Sequence, residues 1–529
     1  MKRRIIALTL CLALLLTLIL TGCNNGGNTT DGSGNGSNDA GNSGNNTGNN
    51  GNNGGSTGDN NNRPSDDNGQ AGESDNDLGA YGKTLDQLGA MKGYFTGNAD
   101  DIKIKCVSGT AGCYKVEGNV ITFTAVKADS VYSISGKFAG SIVIDIGDAY
   151  KFDLELAGFS IVSGKANPIT VLSGDEVSIK AQKDTSNYIY DIRSSIAEND
   201  TTVYSGAIHS EVDLELGGKG NLFVVSNYNN GIRCKKDVQV QNLSLTVSCR
   251  DNAIKGNDSV QFNSADVTLI ATSGDTVKTT KSDISSKGNQ RGTVSFAGGR
   301  YRFYAAGEGI DAAYNVTVSA DVSLAIYTDK YSIHTESTSN VDYSTKGIKA
   351  ANEVIINGGV IDIKSYDNAI HVNNDTPLEN GATGLGRLTI NGGEISIYTR
   401  AEGLHTDGSL YINGGKTLII SNSKASSVIS AKYGYTYTAG CLVAIMSDCE
   451  AANMATNCSG FDSVGKKLSL SLNKGKYLGC VIGSDKLTYN VPVDLSSCVV
   501  LLGSNTSSAA SDASNSHSLA VGEHIWEQN

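Results

Sequence analysis

The sequence predicts an all-β fold in which short strands wind into a stack of coils, a parallel β-helix. Three observations predict it. First, Lys346–Ser421 repeats itself three times, as KGIKAANEVIINGGVIDIKS, YDNAIHVNN…GRLTINGGEISIYT and RAEGLHTDGSLYINGGKTLIIS. Each copy has a small residue with Ile or Leu, a polar residue, a turn, and an alternating strand at "INGG" or a variant. Second, fainter copies can be anchored at Ile208, Ile232, Ile254, Val277, Ile310, Ile348, Ile370 and Leu404, and several steps fall near 22 residues, as from Ile232 to Ile254 and from Ile348 to Ile370. That period is too short for a four-stranded propeller blade and suits one coil of a solenoid. Third, Gly is abundant (63) and Pro scarce (4), the balance of strands joined by Gly-rich turns.

Residues 1–23 carry Lys2, Arg3 and Arg4 before an apolar run, Ile5–Leu20, the pattern of an export signal rather than a membrane span. The run ends Leu20-Thr21-Gly22-Cys23, which resembles the lipobox of bacterial lipoproteins and implies lipidation of Cys23 and attachment to a membrane outside the cytoplasm. Residues 24–77 are nearly all Gly, Asn, Ser, Thr and Asp, with no apolar periodicity to offset the entropy of ordering, and read as a tether. Residues 78–119 read as an entry segment with a short helix at Thr84–Leu88. Residues 120–424 are assigned to the coils, irregular at first (VITFTAV, SIVIDI, FDLELAGFSIV) and regular from Tyr204. Residues 425–503 read as antiparallel strands of a capping β-domain, and 504–529 as a loose polar tail.

A net charge of −12 makes a nucleic-acid partner an unexpected one. Export permits disulfides, with Cys106/Cys113 and some of Cys441, Cys449, Cys458, Cys480 and Cys498 as candidate pairs. No CxxC spacing suggests a thiolate zinc or redox site.

The residue after each anchor should face outward. Down the stack these are His209, Arg233, Lys255, Lys278, Asp311, Lys349, His371 and His405, a basic column in an acidic protein. Coils lie about 4.8 Å apart, where like charges repel by about 1 kcal/mol in water and more near a protein surface. Asp251, Asp275, Glu308, Asp367 and Glu402, two or three residues before their anchors, can neutralise it. Two readings follow: a cross-coil salt-bridge network, or a surface for an acidic or hydroxyl-rich polymer on which carboxylates hold Ca²⁺. Long steps after Val277 and Ile370 predict loops Thr279–Gly292 and Val372–Arg387 leaving one corner, and a groove between them lined by Lys278, Glu308, Asp311, Lys349, Asp367 and His371. The aligned Asn357, Asn391 and Asn413 read as an internal structural ladder.

The repeats KGIKAANEVIINGGVIDIKSYDNAIH and AEGLHTDGSLYINGGKTLIIS resemble the carbohydrate-binding, pectate-lyase-like β-helix proteins of anaerobic bacteria, over roughly Val120 to Met446. The resemblance implies a right-handed winding, bound calcium, and binding of cellulose or an acidic plant polysaccharide such as polygalacturonate. Members often carry "DDGI" or "DGDGI" before the anchor. Asp251-Asn252, Asp367-Asn368 and Glu402 match this in part, whereas Asn230 and Lys346 do not.

The leading expectation is a surface-tethered polysaccharide-binding protein. Arg233, Lys255, Lys278, Lys349, His371, His405 and Tyr366 would bind glycan, and Asp251, Asp275, Glu308, Asp311, Asp367 and Glu402 would bind calcium. Tyr343 and Tyr398 are further stacking candidates. One alternative is a calcium-dependent polysaccharide lyase with Lys278 or Lys349 as the base abstracting a proton α to a uronate carboxyl. The other is a structural or adhesive solenoid.

Overall fold

The computed structural model describes residues 101–193, 205–328, 344–373, 386–421, 427–446, 455–456, 466–492, 494–503, 507–511, 513 and 518–528. The expected export signal, Cys23, the expected tether, the helix expected at Thr84–Leu88, Tyr343 and most of the loop expected after Val372 lie outside these residues. The described residues are all-β, and no α-helix occurs among them.

Alternation of apolar and polar residues becomes three strands per coil. In the Ile348 coil these are Ile348–Ala350, Glu353–Ile356 and Val360–Ser365. Each pairs in parallel with its equivalent one coil on: Ile348 with Ile370, Val354 with Leu388, and Ile361 with Ile395. The three-residue anchor strands belong to a 14-stranded ladder, and the two longer strand types join in a 23-stranded sheet. Because a strand's side chains alternate faces, in-register stacking points every second residue inward. Ile348, Ile370, Leu404, Val354, Leu388 and Ile397 are all fully buried. Each such side chain contributes roughly 1.5–3 kcal/mol by leaving water. Aromatic layers thicken the core, with Phe262 stacked on Phe296 at 4.9 Å and Phe123 packed on Phe152 at 5.1 Å.

The "INGG" signature has a backbone cause. Gly359, Gly393 and Gly415, the second Gly of each copy, have φ of 90°, 98° and 85°. This is the left-handed region that only Gly enters without penalty. Asn357, Asn391 and Asn413 stack beside them: Asn391 Nδ2 donates to Asn357 Oδ1 and Asn413 Nδ2 to Asn391 Oδ1, each at 2.9 Å. Contrary to expectation this ladder is exposed, because the asparagines stand outside the corner that the glycines turn.

The parallel register begins earlier and ends later than the repeats suggest. Val120–Thr124 already pairs in parallel with Ser141–Asp145, and that strand with Ile169–Ser173. Past Ser421, where antiparallel strands were expected, Ile429–Ala431, Tyr435–Tyr437 and Cys441–Met446 add another parallel coil, pairing with Leu404–Thr406, Ser409–Ile412 and Lys416–Ser421. Apolar inward positions survive there although the motif letters do not. The entry strands Ile102–Ser108 and Tyr114–Glu117 pair antiparallel to the first coil, covering strand edges that would otherwise recruit another chain.

At the other end, Leu495–Leu502 runs antiparallel to Cys441–Met446 and Lys466–Leu472. The expected loose tail contains Ser508–Ser511 and His524–Gln528, which complete a four-stranded antiparallel sheet with Tyr477–Ile482 and Asp485–Asn490. Leu418, Ile420, Val443, Leu478 and Leu487 form a separate core there, with Trp526 at its edge. The proposed Cys106/Cys113 pair is not formed. Both are free thiols, as are Cys234, Cys249, Cys441 and Cys480; Cys106 Sγ donates to the Ser108 carbonyl and Cys113 Sγ to the Ala125 carbonyl, each at 3.4 Å.

Candidate functional site

The column of residues after each anchor is in register throughout: His209–Arg233, Arg233–Lys255, Lys255–Lys278, Lys278–Asp311, Asp311–Lys349, Lys349–His371 and His371–His405 are successive cross-coil pairs. Its first member departs from expectation, since His209 is only 2% exposed. Burial pulls its pKa down despite the 2.9 Å contact with Glu211.

A second column, two residues before each anchor, carries a buried ladder that sequence reasoning did not separate from the acidic residues. Asn230 Oδ1 accepts from Asn252 Nδ2 at 2.9 Å and from Asn252 N at 3.2 Å. Asn252 Oδ1 accepts from Asp275 N, and Asp275 Oδ1 from Glu308 N at 2.8 Å. Asn368 Oδ1 does the same for Glu402 N at 3.0 Å. These side chains satisfy corner amides that would otherwise be buried without partners. The readable signal was the spacing of Asn230, Asn252, Asp275, Glu308, Asn368 and Glu402.

Where the ladder changes from amides to carboxylates, charge accumulates. Asp275, Glu308 and Asp311 bring carboxylate oxygens within 4.8 Å of one another. Lys278 Nζ lies 2.8 Å from Asp275 Oδ2 and 2.7 Å from Asp311 Oδ2. Lys349 Nζ lies 3.3 Å from Glu308 Oε1 and 3.4 Å from Asp311 Oδ1. Burial, then the Asp275 charge, raises the Glu308 carboxyl to about 7. Burial works against the charged form of Lys278, but Asp275 and Asp311 outweigh it and hold the ammonium above the ordinary lysine range. The balance at Lys349 has the same sign through Asp311 and Glu308. Neither amine is set as a proton-abstracting base near neutral pH, which weighs against the two residues singled out for lyase chemistry.

Lys255 differs. Its ammonium makes no ion pair or hydrogen bond among the described residues. Burial, then Arg233, lowers its pKa. It faces a cleft of about 370 Å³ lined also by Asp251, Asp275, Lys278, Glu308 and Ser344. Gly274 and Gly307, before the two carboxylates, line it where the coils pack closely: a Cβ at either would meet the preceding coil, with Asp251 Oδ1 and Asp275 Oδ1 only 2.5 Å away. It lies a coil or more before the expected groove, sharing Lys278 and Glu308 with it. No residue of the loop Thr279–Gly292 lines the cleft. Lys281 and Arg291 pin that loop to Asp258, at 2.9 and 3.1 Å, at its own corner.

The remaining candidates are dispersed. Arg233 is engaged by the Cys234 and Lys255 carbonyls and by Asn257 Oδ1 at 2.7 Å. Asp367 pairs with Lys346 at 2.6 Å. Tyr366 has one ring face beneath the Arg400 guanidinium, 5.0 Å from its centroid. His371 and His405 adjoin with ring centroids 4.2 Å apart, and Glu402 bonds His405 Nδ1. As donors, Asp275, Glu308 and Asp311 offer hard carboxylate oxygens of the kind calcium takes, so this cluster fits the ion better than Asp251, Asp367 or Glu402, which it does not include.

The chain is similar to a carbohydrate-binding domain-containing protein of Acetivibrio thermocellus, 32% identical over 119 residues, which is 22% of this chain and 42% of that relative's length. It is also similar to the solved polysaccharide lyase-like protein from C. thermocellum, a gadolinium derivative, at 26% identity and a TM-score of 0.37 over 42% of this chain and 91% of that one. The family model described as carbohydrate-binding domain-containing protein matches residues 117–387, just over half of the chain. The chain belongs to this family of carbohydrate-binding domain-containing proteins.

Proposed function

We propose that the protein is a surface-tethered module that binds an acidic, uronate-containing polysaccharide on the cleft beside Lys255, and that the coils wind as a right-handed parallel β-helix whose outer face presents that cleft. The observation that carries the reading is Lys255 itself: a half-buried ammonium with no partner among the described residues, facing a cleft floored by glycines. A charge held in such a place gains most from a carboxylate brought by a ligand. Family membership supports the glycan as the partner class.

Asp275, Glu308 and Asp311 would hold calcium, which when bound supplies a second positive centre for a uronate carboxylate. The chain's own residues do the rest. Lys255 pairs with the ligand, Asp251 and Ser344 offer hydrogen-bond partners to hydroxyls, and Lys278 and Lys349 keep the carboxylates from repelling an anionic chain. Cys23 lipidation and the 24–77 tether would let the module reach external material while staying on the membrane.

The test is retention of the purified protein on polygalacturonate and on cellulose, with calcium and with excess chelator, while the same tubes are assayed for unsaturated product. Calcium-dependent retention on polygalacturonate that Lys255→Ala abolishes, without product, supports the reading. An intact fold retained on neither polymer sinks it, and unsaturated product would instead favour the lyase.

A further inference from the structure

One coil past Lys349 the column changes from lysine to histidine, and with it the cation chemistry. We propose that His371, His405 and Asp407 form a binding site for one borderline transition-metal ion such as Zn²⁺, separate from the carboxylate cluster, with an open position for a ligand oxygen. The three residues offer ligand atoms within 4.8 Å of one another. His405 Nε2 stands 3.3 Å from Asp407 Oδ1, and His371 Nε2 stands 4.0 Å from Asp407 Oδ2. Zinc–ligand bonds of about 2.0–2.1 Å place the ligands of a tetrahedron roughly 3.3–3.5 Å apart. Small side-chain movements therefore close the site.

Three features set this cluster apart from an ordinary surface ion pair. His371 Nε2 is buried and has no hydrogen-bond partner among the described residues. Glu402 bonds His405 Nδ1, the carboxylate–imidazole arrangement that fixes a ligating histidine with Nε2 turned to the metal. The anchor strands Ile370–Val372 and Leu404–Thr406 hold both imidazoles on a rigid ladder one coil apart. Two imidazoles and a carboxylate suit zinc, whereas calcium wants six to eight oxygens.

Ligation through His371 Nε2 places that ring's proton on Nδ1, which now lies 3.3 Å from Asn368 Nδ2. The amide must turn for the metal to bind, so a carboxylate at position 368 should serve the site better than the native side chain. This gives a gain-of-function arm that misfolding cannot mimic.

Chelator-treated full-length protein is dialysed against Zn²⁺ with excess Ca²⁺, and bound metal is counted. The expected result is one zinc that calcium does not displace, lost in His371→Gln and in His405→Gln, and bound about 10-fold or more tighter in Asn368→Asp. Co²⁺ in its place should show nitrogen and oxygen ligation with no thiolate charge-transfer band, which excludes the free cysteines as its source. No bound zinc, zinc retained in both histidine variants of unchanged circular dichroism, or a thiolate band would overturn the proposal.

Discussion

Replacing Glu308 with Gln removes a carboxyl that the fold holds at a cost. Its side chain is 8% exposed and faces Asp275, with Asp311 and Lys278 beyond, Lys349 at 3.3 Å, and Ser344 at the rim. Burial and the Asp275 charge lift its pKa from 4.5 to about 7. A raised carboxyl pKa means the folded state binds the proton more tightly than the unfolded chain does. The stability this confers is complete below about pH 4.5 and is lost as pH climbs through 7. Every tenfold gain in proton affinity on folding is worth about 1.4 kcal/mol, so the native protein should lose about 2–3 kcal/mol from this group between pH 5 and pH 8.

The assay is urea unfolding of the native protein and Glu308→Gln in chelator, followed by far-ultraviolet circular dichroism at several pH values. Near pH 5 the variant should be equal to or slightly less stable than the native protein, because the Lys349 contact weakens. By pH 8 it should be the more stable of the two, with the difference between them widening by about 2–3 kcal/mol. Calcium at pH 8 should raise the native protein's midpoint and leave that of the variant almost unmoved. Parallel stability curves for the two proteins from pH 5 to pH 8 would refute the reasoning, since Glu308 would then titrate as it does in the unfolded chain.

Lys278→Met strips the ammonium from between Asp275 and Asp311 and should cost about 2–3 kcal/mol at neutral pH, below the usual figure for a broken buried pair because the amine is partly solvated; an unchanged urea midpoint would count against the pairing. Asn252→Ala orphans the Asp275 amide and removes the Asn230 partner, for about 2–3 kcal/mol, whereas Asn391→Ala in the exposed ladder should cost under about 1 kcal/mol. Equal losses of thermal stability in those two variants would show that burial is not what distinguishes the ladders. Lys255→Ala should move stability by no more than about 0.5 kcal/mol, since it breaks no ion pair or hydrogen bond among the described residues, while removing retention on polygalacturonate; a large fall in melting temperature would mean the amine has a structural partner.

Much of the stacking was legible because the anchor column repeats at a fixed offset. Once Ile348, Ile370 and Leu404 align, the outward neighbours Lys349, His371 and His405 align with them, and their cross-coil pairing follows from the two-residue period of a strand. What the letters obscure is side-chain depth and pairing. His209 occupies an outward position by register yet is buried, with Glu211 Oε1 2.9 Å from its Nε2. Lys255 and Lys278 look equivalent in the sequence, but only Lys278 has a carboxylate on the next coil of its own column, Asp311. The cleft is not legible in the letters because its lining comes from successive coils, from Asp251 and Lys255 through Asp275 and Lys278 to Glu308 and Ser344. The coil at Ile429–Met446 was missed because inward apolar residues suffice to keep register when the "INGG" letters are gone.

The two charged stations have one origin. Along the column two residues before the anchors, Asn230 and Asn252 hand hydrogen bonds from coil to coil without charge. Asp275 continues that task with one oxygen, capping the Glu308 amide, and its second oxygen adds a charge that the ladder itself does not need. The outward column answers with whatever base stands beside it. Where the answer is lysine, at Lys278 and Lys349, the result is a cluster of hard oxygens held together by ammonium groups, open to a hard cation or an anionic ligand. Where a carboxylate returns at Glu402 and the answer is histidine, the same geometry turns an imidazole nitrogen outward instead, toward a softer cation. A single substitution should then exchange the two chemistries: His405→Lys ought to abolish zinc binding and leave Glu402 paired as Asp275 is, with the fold unchanged. Zinc bound as before in that variant would show that the column does not set the cation.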